Sequence, residues 1–192
     1  MSPRRPAGPG APPDDAPSEP LEIFRALNSH GVDYLIIGGV AVQAYGHVRT
    51  TQDVDVIVAP DAGNLARLAG ALGQLRARLK RVDADLPGID PTNPAHLRDG
   101  ANFGLATAAG GLDVWTDAAE LKGARTWQEM REQAVGVKVG GEPLRFVHRD
   151  DLIRMKLAAG RERDLQDIAA LTSQEAGDMG SVGGRGQRCT SA

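Results

Sequence analysis

The chain has 192 residues, with 22 lysines and arginines against 25 aspartates and glutamates, for a formal charge of −3 at neutral pH. That balance excludes a nucleic-acid clamp held by bulk positive charge, while 41% hydrophobic residues suffice for a packed core. Cys189 is the single cysteine, which excludes a disulfide framework and a cysteine-based zinc site.

The longest apolar stretch, Tyr34 to Val42, is about half a membrane span and is broken by Gly38 and Gly39. The opening MSPRRPAGPG lacks the apolar core of a signal peptide, so the chain reads as soluble and cytoplasmic with no membrane partner. Seven of the 12 prolines fall in residues 1–20, which read as a disordered Pro-rich leader. Residues 174–192 carry five glycines and almost no large apolar side chains, and read as a disordered Gly-rich tail. The body between them, residues 21–173, fits one domain.

Leu21, Phe24, Leu27 and Asn28 predict a short first helix. GVDYLIIGG then supplies an apolar run too short for a helix and closed by glycines, which predicts a buried strand. Residues 40–45 predict a short helix leaving the Gly38-Gly39 turn, and RTTQDVDVIV predicts a second strand. In residues 64–81, Leu65, Leu68, Leu72, Leu75 and Leu79 recur at helical spacing, so an amphipathic helix covers a sheet face and turns its arginines and lysine to solvent. Residues 83–102 are rich in turn formers and read as a long loop or partial strand. ANFGLAT and LDVWTD predict two strands joined by a glycine turn, and VGVKV and PLRFV a second pair around Gly140-Gly141-Glu142. Two helices over 149–159 and 162–171, separated by Gly160, close the body. The fold class is α/β (α+β): a small mixed sheet covered by helices, with a C-terminal helix pair.

An extended chain sends alternate side chains to opposite faces, so Arg49, Thr51, Asp53 and Asp55 share one face and Val54, Val56 and Val58 the other. Two carboxylates on residues whose Cα atoms lie roughly 6.5 to 7 Å apart along a strand resist joint ionisation unless a cation is present. An all-oxygen donor set of this kind suits Mg²⁺ or Mn²⁺. Asp-x-Asp is weak by itself, since 17 aspartates supply roughly one or two such pairs by chance, Asp83-Ala84-Asp85 among them. What separates Asp53 and Asp55 is the strand, glycine pair and short helix before them. Glycines at a helix start let backbone N–H groups approach a phosphate. Asp113, amid apolar neighbours on a late strand, is costly to bury unpaired and supplies a third carboxylate. Three carboxylates clamping two metal ions would support in-line attack on an α-phosphorus, with Asp113 as general base. Arg49 and Lys156 are the basic groups best placed for a triphosphate. His47 reads as a polar loop residue, His148 as the start of a helix whose first turn holds Asp150 and Asp151, and Trp115 and Trp127 as packing residues.

GGVAVQAYGHVRTTQDVDV, Asp113 in LDVW, and DDLIRMKLAAGRERDLQDIAAL together resemble the nucleotidyltransferase superfamily of the DNA polymerase beta type, nearest to the AbiEii-like toxins of type IV toxin–antitoxin systems. The resemblance covers nearly the whole body, about residues 21–172. It implies a nucleotidyltransferase-like core in which Gly38 and Gly39 hold nucleotide phosphates and Asp53, Asp55 and Asp113 bind Mg²⁺. It also implies nucleotide binding by Lys156, followed by Arg161 and by Asp164 or Asp167. The implied activity is transfer of a nucleoside monophosphate from an NTP to an acceptor hydroxyl, with the 3′ end of a tRNA as acceptor and a cognate antitoxin as partner. A protein or small-molecule acceptor, a non-catalytic nucleotide-binding module and a metal-dependent phosphohydrolase stay open as alternatives.

Overall fold

The computed structural model describes residues 19–80, 88–98 and 102–178. The expected leader up to residue 18, Asp83 and Asp85, and the tail beyond residue 178 lie outside the described residues.

Helix α1 (Pro20–Ser29) starts on a proline, whose fixed φ suits a first helical turn, and buries Ile23, Phe24, Ala26 and Leu27. It leads into β1 (Tyr34–Ile37), buried along its length, and α2 (Gly38–Ala44). Strand β2 (Asp53–Val58) is shorter than its alternation predicts: residues 49–52 form a connecting segment, so Arg49 and Thr51 reach the site from a loop. Helix α3 (Ala62–Gln74) is capped by Asp61, whose side chain accepts the Asn64 N–H, and buries Leu65, Leu68 and Leu72.

The leucine periodicity overruns the helix. Arg76 takes a left-handed conformation at φ 52°, its N–H donates to Gly73 O, and the chain leaves as β3 (Arg78–Leu79). Leu79 and the basic residues near it therefore belong to a sheet edge. The turn-rich stretch expected as loop contains α4 (Pro94–Arg98). The two predicted strand pairs are present as β4 (Asn102–Thr107) with β5 (Gly110–Trp115), and β6 (Val135–Val139) with β7 (Glu142–Phe146). Between the pairs lies α5 (Trp127–Glu132), opened by a capping box of Thr126 and Glu129. Helix α6 (Arg149–Ala159) ends at Gly160 in the left-handed conformation, and α7 (Glu162–Asp178) continues past the expected boundary at residue 174.

The seven described strands form one mixed sheet in the order β3-β4-β5-β2-β1-β7-β6. Strand β2 is antiparallel to β1 and parallel to β5, and β1 is parallel to β7. Val54, Val56 and Val58 join Leu65, Leu68 and Leu72 of α3 and Ile23 and Leu27 of α1 in one core. The mixed sheet, helical cover and C-terminal helix pair match the expected fold class. Among the described residues, no helix is long and apolar enough to cross a membrane.

Candidate active site

Register brings the three carboxylates together. Asp55 is the direct parallel partner of Asp113, and Asp53 lies opposite Gly111. The antiparallel β4/β5 ladder sets Gly104 beside Asp113 and Ala106 beside Gly111. Partnered residues send their side chains to the same face, so that face carries two aspartates side by side and a third one step along β2.

Glycines make this packing possible. Gly38 begins α2 at φ 61°, and a Cβ there would overlap Asp55 Oδ2. A Cβ on Gly39 would fall 2.6 Å from Thr51 Oγ1 and 2.7 Å from Arg49 Nη2. The Gly39 N–H donates to the Asp55 carboxylate, so the visible work of the glycine pair is to admit Asp55, Thr51 and Arg49. Burial, then the neighbouring Asp113, push the Asp55 carboxyl up to about 6, against the Gly39 hydrogen bond. Thr51 Oγ1 donates to the Asp53 carbonyl at 3.1 Å and shapes the entry into β2.

Two lysines each bridge two carboxylates. Lys80 Nζ lies 3.0 Å from Asp53 Oδ2 and 3.0 Å from Asp113 Oδ1. Burial opposes its charge, but Asp113 and Asp53 outweigh that and hold the ammonium above the ordinary lysine value. Lys156 Nζ donates to Asp164 Oδ1 at 2.9 Å and to Asp167 Oδ2 at 2.7 Å. Arg161 Nε donates to Asp164 Oδ2 at 2.8 Å, and Arg49 Nη1 to Asp167 Oδ2 at 2.5 Å. Burial would raise the Asp164 carboxyl, yet Arg161 and Lys156 hold it below the usual value. Asp164 and Asp167 are each only 1% exposed. Three cations thus surround two buried carboxylates, leaving an excess positive charge beside Asp55.

Two hollows meet at Gly38, Asp55, Asp113, Lys156, Arg161 and Asp164. One, of about 380 Å³, is polar and is completed by Gly39, Arg49, Thr51, Gln52, Asp53 and Arg163. The other, of about 430 Å³, is completed mainly by Ile37, Asn102, Trp115, Leu121, Leu152 and Met155. Every catalytic or nucleotide-binding candidate named from the sequence therefore lines these two hollows, except Asp167, which lies behind Lys156 and Arg49. His148 accepts the Asp150 N–H at 3.3 Å as the cap of α6.

Sequence reasoning missed Lys80, placed on a solvated helix face, and Gly111, taken as part of a turn. The available signal was the polar-apolar-polar alternation of Arg78, Leu79 and Lys80 after Gly73, which suits a strand edge better than a continuing helix.

The three carboxylates are an oxygen-only donor set whose close approach depends on Gly38 and Gly111, which fits a hard divalent cation. Among the described residues no three such groups stand at metal-ligand spacing, and Lys80 Nζ lies 3.0 Å from both Asp53 and Asp113.

No family model matches the sequence, and no curated protein does. Solved structures match its fold. The antibiotic-resistance factor ANT(2″)-Ia in solution gives a TM-score of 0.55 at 15% identity, over 82% of this chain and 83% of that one. ANT(2″)-Ia in complex with adenylyl-2″-tobramycin gives 0.54 at 15% identity, over 83% and 88%. The lincosamide antibiotic adenylyltransferase LnuA, lincomycin-bound, gives 0.53 at 15% identity, over 82% and 98%. The chain has a nucleotidyltransferase-like fold, and nearly the full length of LnuA is represented in it.

Proposed function

We propose that the chain is a nucleotidyltransferase that moves a nucleoside monophosphate from an NTP to an acceptor hydroxyl and releases pyrophosphate. The observation that carries this reading is the convergence of Asp53, Asp55 and Asp113 on one sheet face at the floor of a cleft flanked by Lys156, Arg49 and Arg161. Asp53, Asp55 and Asp113 would hold Mg²⁺ or Mn²⁺, which when bound supplies charge neutralisation at the α-phosphate and the departing pyrophosphate.

The polar hollow, bordered by Gly38, Gly39, Arg49 and Thr51, takes the triphosphate. Lys156 has three N–H donors and spends two on Asp164 and Asp167, so the third serves a phosphate oxygen. Arg161 and Arg49 fix those two carboxylates and keep Lys156 from swinging away. The acceptor oxygen attacks the α-phosphorus from the second hollow, and its proton passes to Asp113. The bond from the α-phosphorus to the bridging oxygen breaks, and its electron pair leaves on pyrophosphate.

The second hollow supports a small-molecule acceptor. Its volume of about 430 Å³ lies in the usual range for small-ligand sites, and Trp115, Leu152 and Met155 give it apolar walls. The likeness in fold to an antibiotic-resistance factor and to a lincosamide antibiotic adenylyltransferase adds to that reading. The tRNA 3′ end and a cognate antitoxin rest on the motif resemblance, and the cytoplasm as the place of action on the sequence.

The deciding experiment incubates the protein and an Asp53→Ala/Asp55→Ala variant with Mg²⁺, each α-³²P-labelled NTP, and three acceptor pools: hydroxylated antibiotics, tRNA and cell protein. Transfer to the antibiotic pool with pyrophosphate release, lost at least about 10³-fold in the variant, is the expected result. Label on tRNA or protein instead reassigns the acceptor. Release of inorganic phosphate would make the protein a phosphohydrolase, and nucleotide binding without transfer to any pool would make it a binding module.

A further inference from the structure

Lys80 stands in the cross-strand row that holds the carboxylates. Arg78 pairs with Ala106 and Leu79 with Leu105, and the Lys80 N–H donates to Gly104 O at 2.8 Å, which continues the β3/β4 register by one residue. The row then runs from Lys80 through Gly104 and Asp113 to Asp55. Gly104, which has no side chain, stands between Lys80 and Asp113 in that row. Gly111 leaves the landing open: a Cβ there would overlap Asp53 Oδ1 and lie 3.3 Å from Lys80 Nζ. Two side-chain-free positions and one backbone hydrogen bond thus aim this ammonium at the gap between Asp53 and Asp113.

We infer that Lys80 is a resident cation of this site, filling one of its two cation positions, so that Asp53, Asp55 and Asp113 hold a single divalent ion. This rests on the metal-centre reading of the cleft. An ammonium donates to the same carboxylate lone pairs that a metal would need, and at 3.0 Å from Asp53 and Asp113 Lys80 already claims one oxygen of each. Three carboxylates carry three negative charges, which one ammonium and one divalent ion balance. Asp55, which neither lysine contacts among the described residues, anchors that ion.

The test is an Mn²⁺ titration of the full chain, with free Mn²⁺ read by electron paramagnetic resonance. Wild type and Lys80→Arg are expected to bind one ion per chain. Lys80→Met and Lys80→Gln, which keep a side chain and lose the charge, are expected to bind two and to show spin coupling between them. Thermal melts by circular dichroism establish that each variant is folded. Two ions in wild type, or one ion in both neutral variants, would overturn the inference and leave the metal centre standing. Absence of Mn²⁺ binding in wild type and variants alike would overturn the metal centre as well.

Discussion

Adding one methyl group separates two glycines that serve the same carboxylates. At Gly38 the new Cβ meets Asp55 on a backbone held at φ 61°, so Gly38→Ala carries both strain and overlap. It should destabilise the protein by about 2 to 4 kcal/mol and lower the midpoint of a urea melt. Gly111 is not among the glycines with positive φ, and Asp53, which its Cβ would meet, has a side chain 37% exposed and able to swing outward. Gly111→Ala should melt close to wild type yet lose roughly 10- to 100-fold in the proposed nucleotidyl transfer, because Asp53 leaves its place. Gly38 was legible in the sequence, since a glycine pair closing an apolar strand announces a tight turn. Gly111 was not, because the need for a missing side chain appears only when β2 is laid beside β5.

Asp55 links the site to pH. Its carboxyl lies at about 6 in the folded chain against 3.8 for an unperturbed aspartate, so the fold binds this proton more tightly than the unfolded chain does. The group therefore favours the fold below about pH 4, and that contribution is lost as pH rises through 6. In protein freed of divalent ions with EDTA, Asp55→Asn should exceed wild type in stability by up to about 3 kcal/mol at pH 7.5. The gap should close at pH 4, as denaturant melts at the two pH values would show. An equal gap at both would mean that burial of the ionised carboxylate is not what raises it.

Helices α6 and α7 act on the cleft through one buried ionic cluster. Lys156, Asp164 and Asp167 are each under 10% exposed, and Arg49 ties the cluster to the segment ahead of β2. Lys156→Met would strand two carboxylates in the interior. Breaking a buried pair costs about 3 to 5 kcal/mol, and the surviving Arg161 and Arg49 contacts put this variant at the lower end. Restoring stability with Lys156→Met/Asp164→Asn/Asp167→Asn in a urea titration, while the proposed transfer stays lost, would separate structural duty from the proposed nucleotide binding. Helical periodicity located α6 and the start of α7. The same device failed at the end of α3: Leu79 keeps the leucine spacing, but edge pairing with Leu105 takes the chain into the sheet. Periodicity reports which side chains seek a core, and a sheet satisfies that demand as well as a helix does.

Across the whole molecule, local signals and distant pairing divided the work. The strand, glycine pair, short helix and Asp-x-Asp strand were readable because each depends on neighbours within about 20 residues, and with them came Asp53, Asp55 and the fold class. Asp113 was readable as a costly carboxylate in an apolar strand, though not as the partner of Asp55, 58 residues earlier in the chain. Burial of Asp164 and Asp167, the role of Gly111, and Lys80 between two metal-binding candidates belong to the tertiary structure. They are set by which strands lie side by side and in what register, and register is decided by the packing of a whole sheet face, a sum over contacts that no local stretch of residues contains.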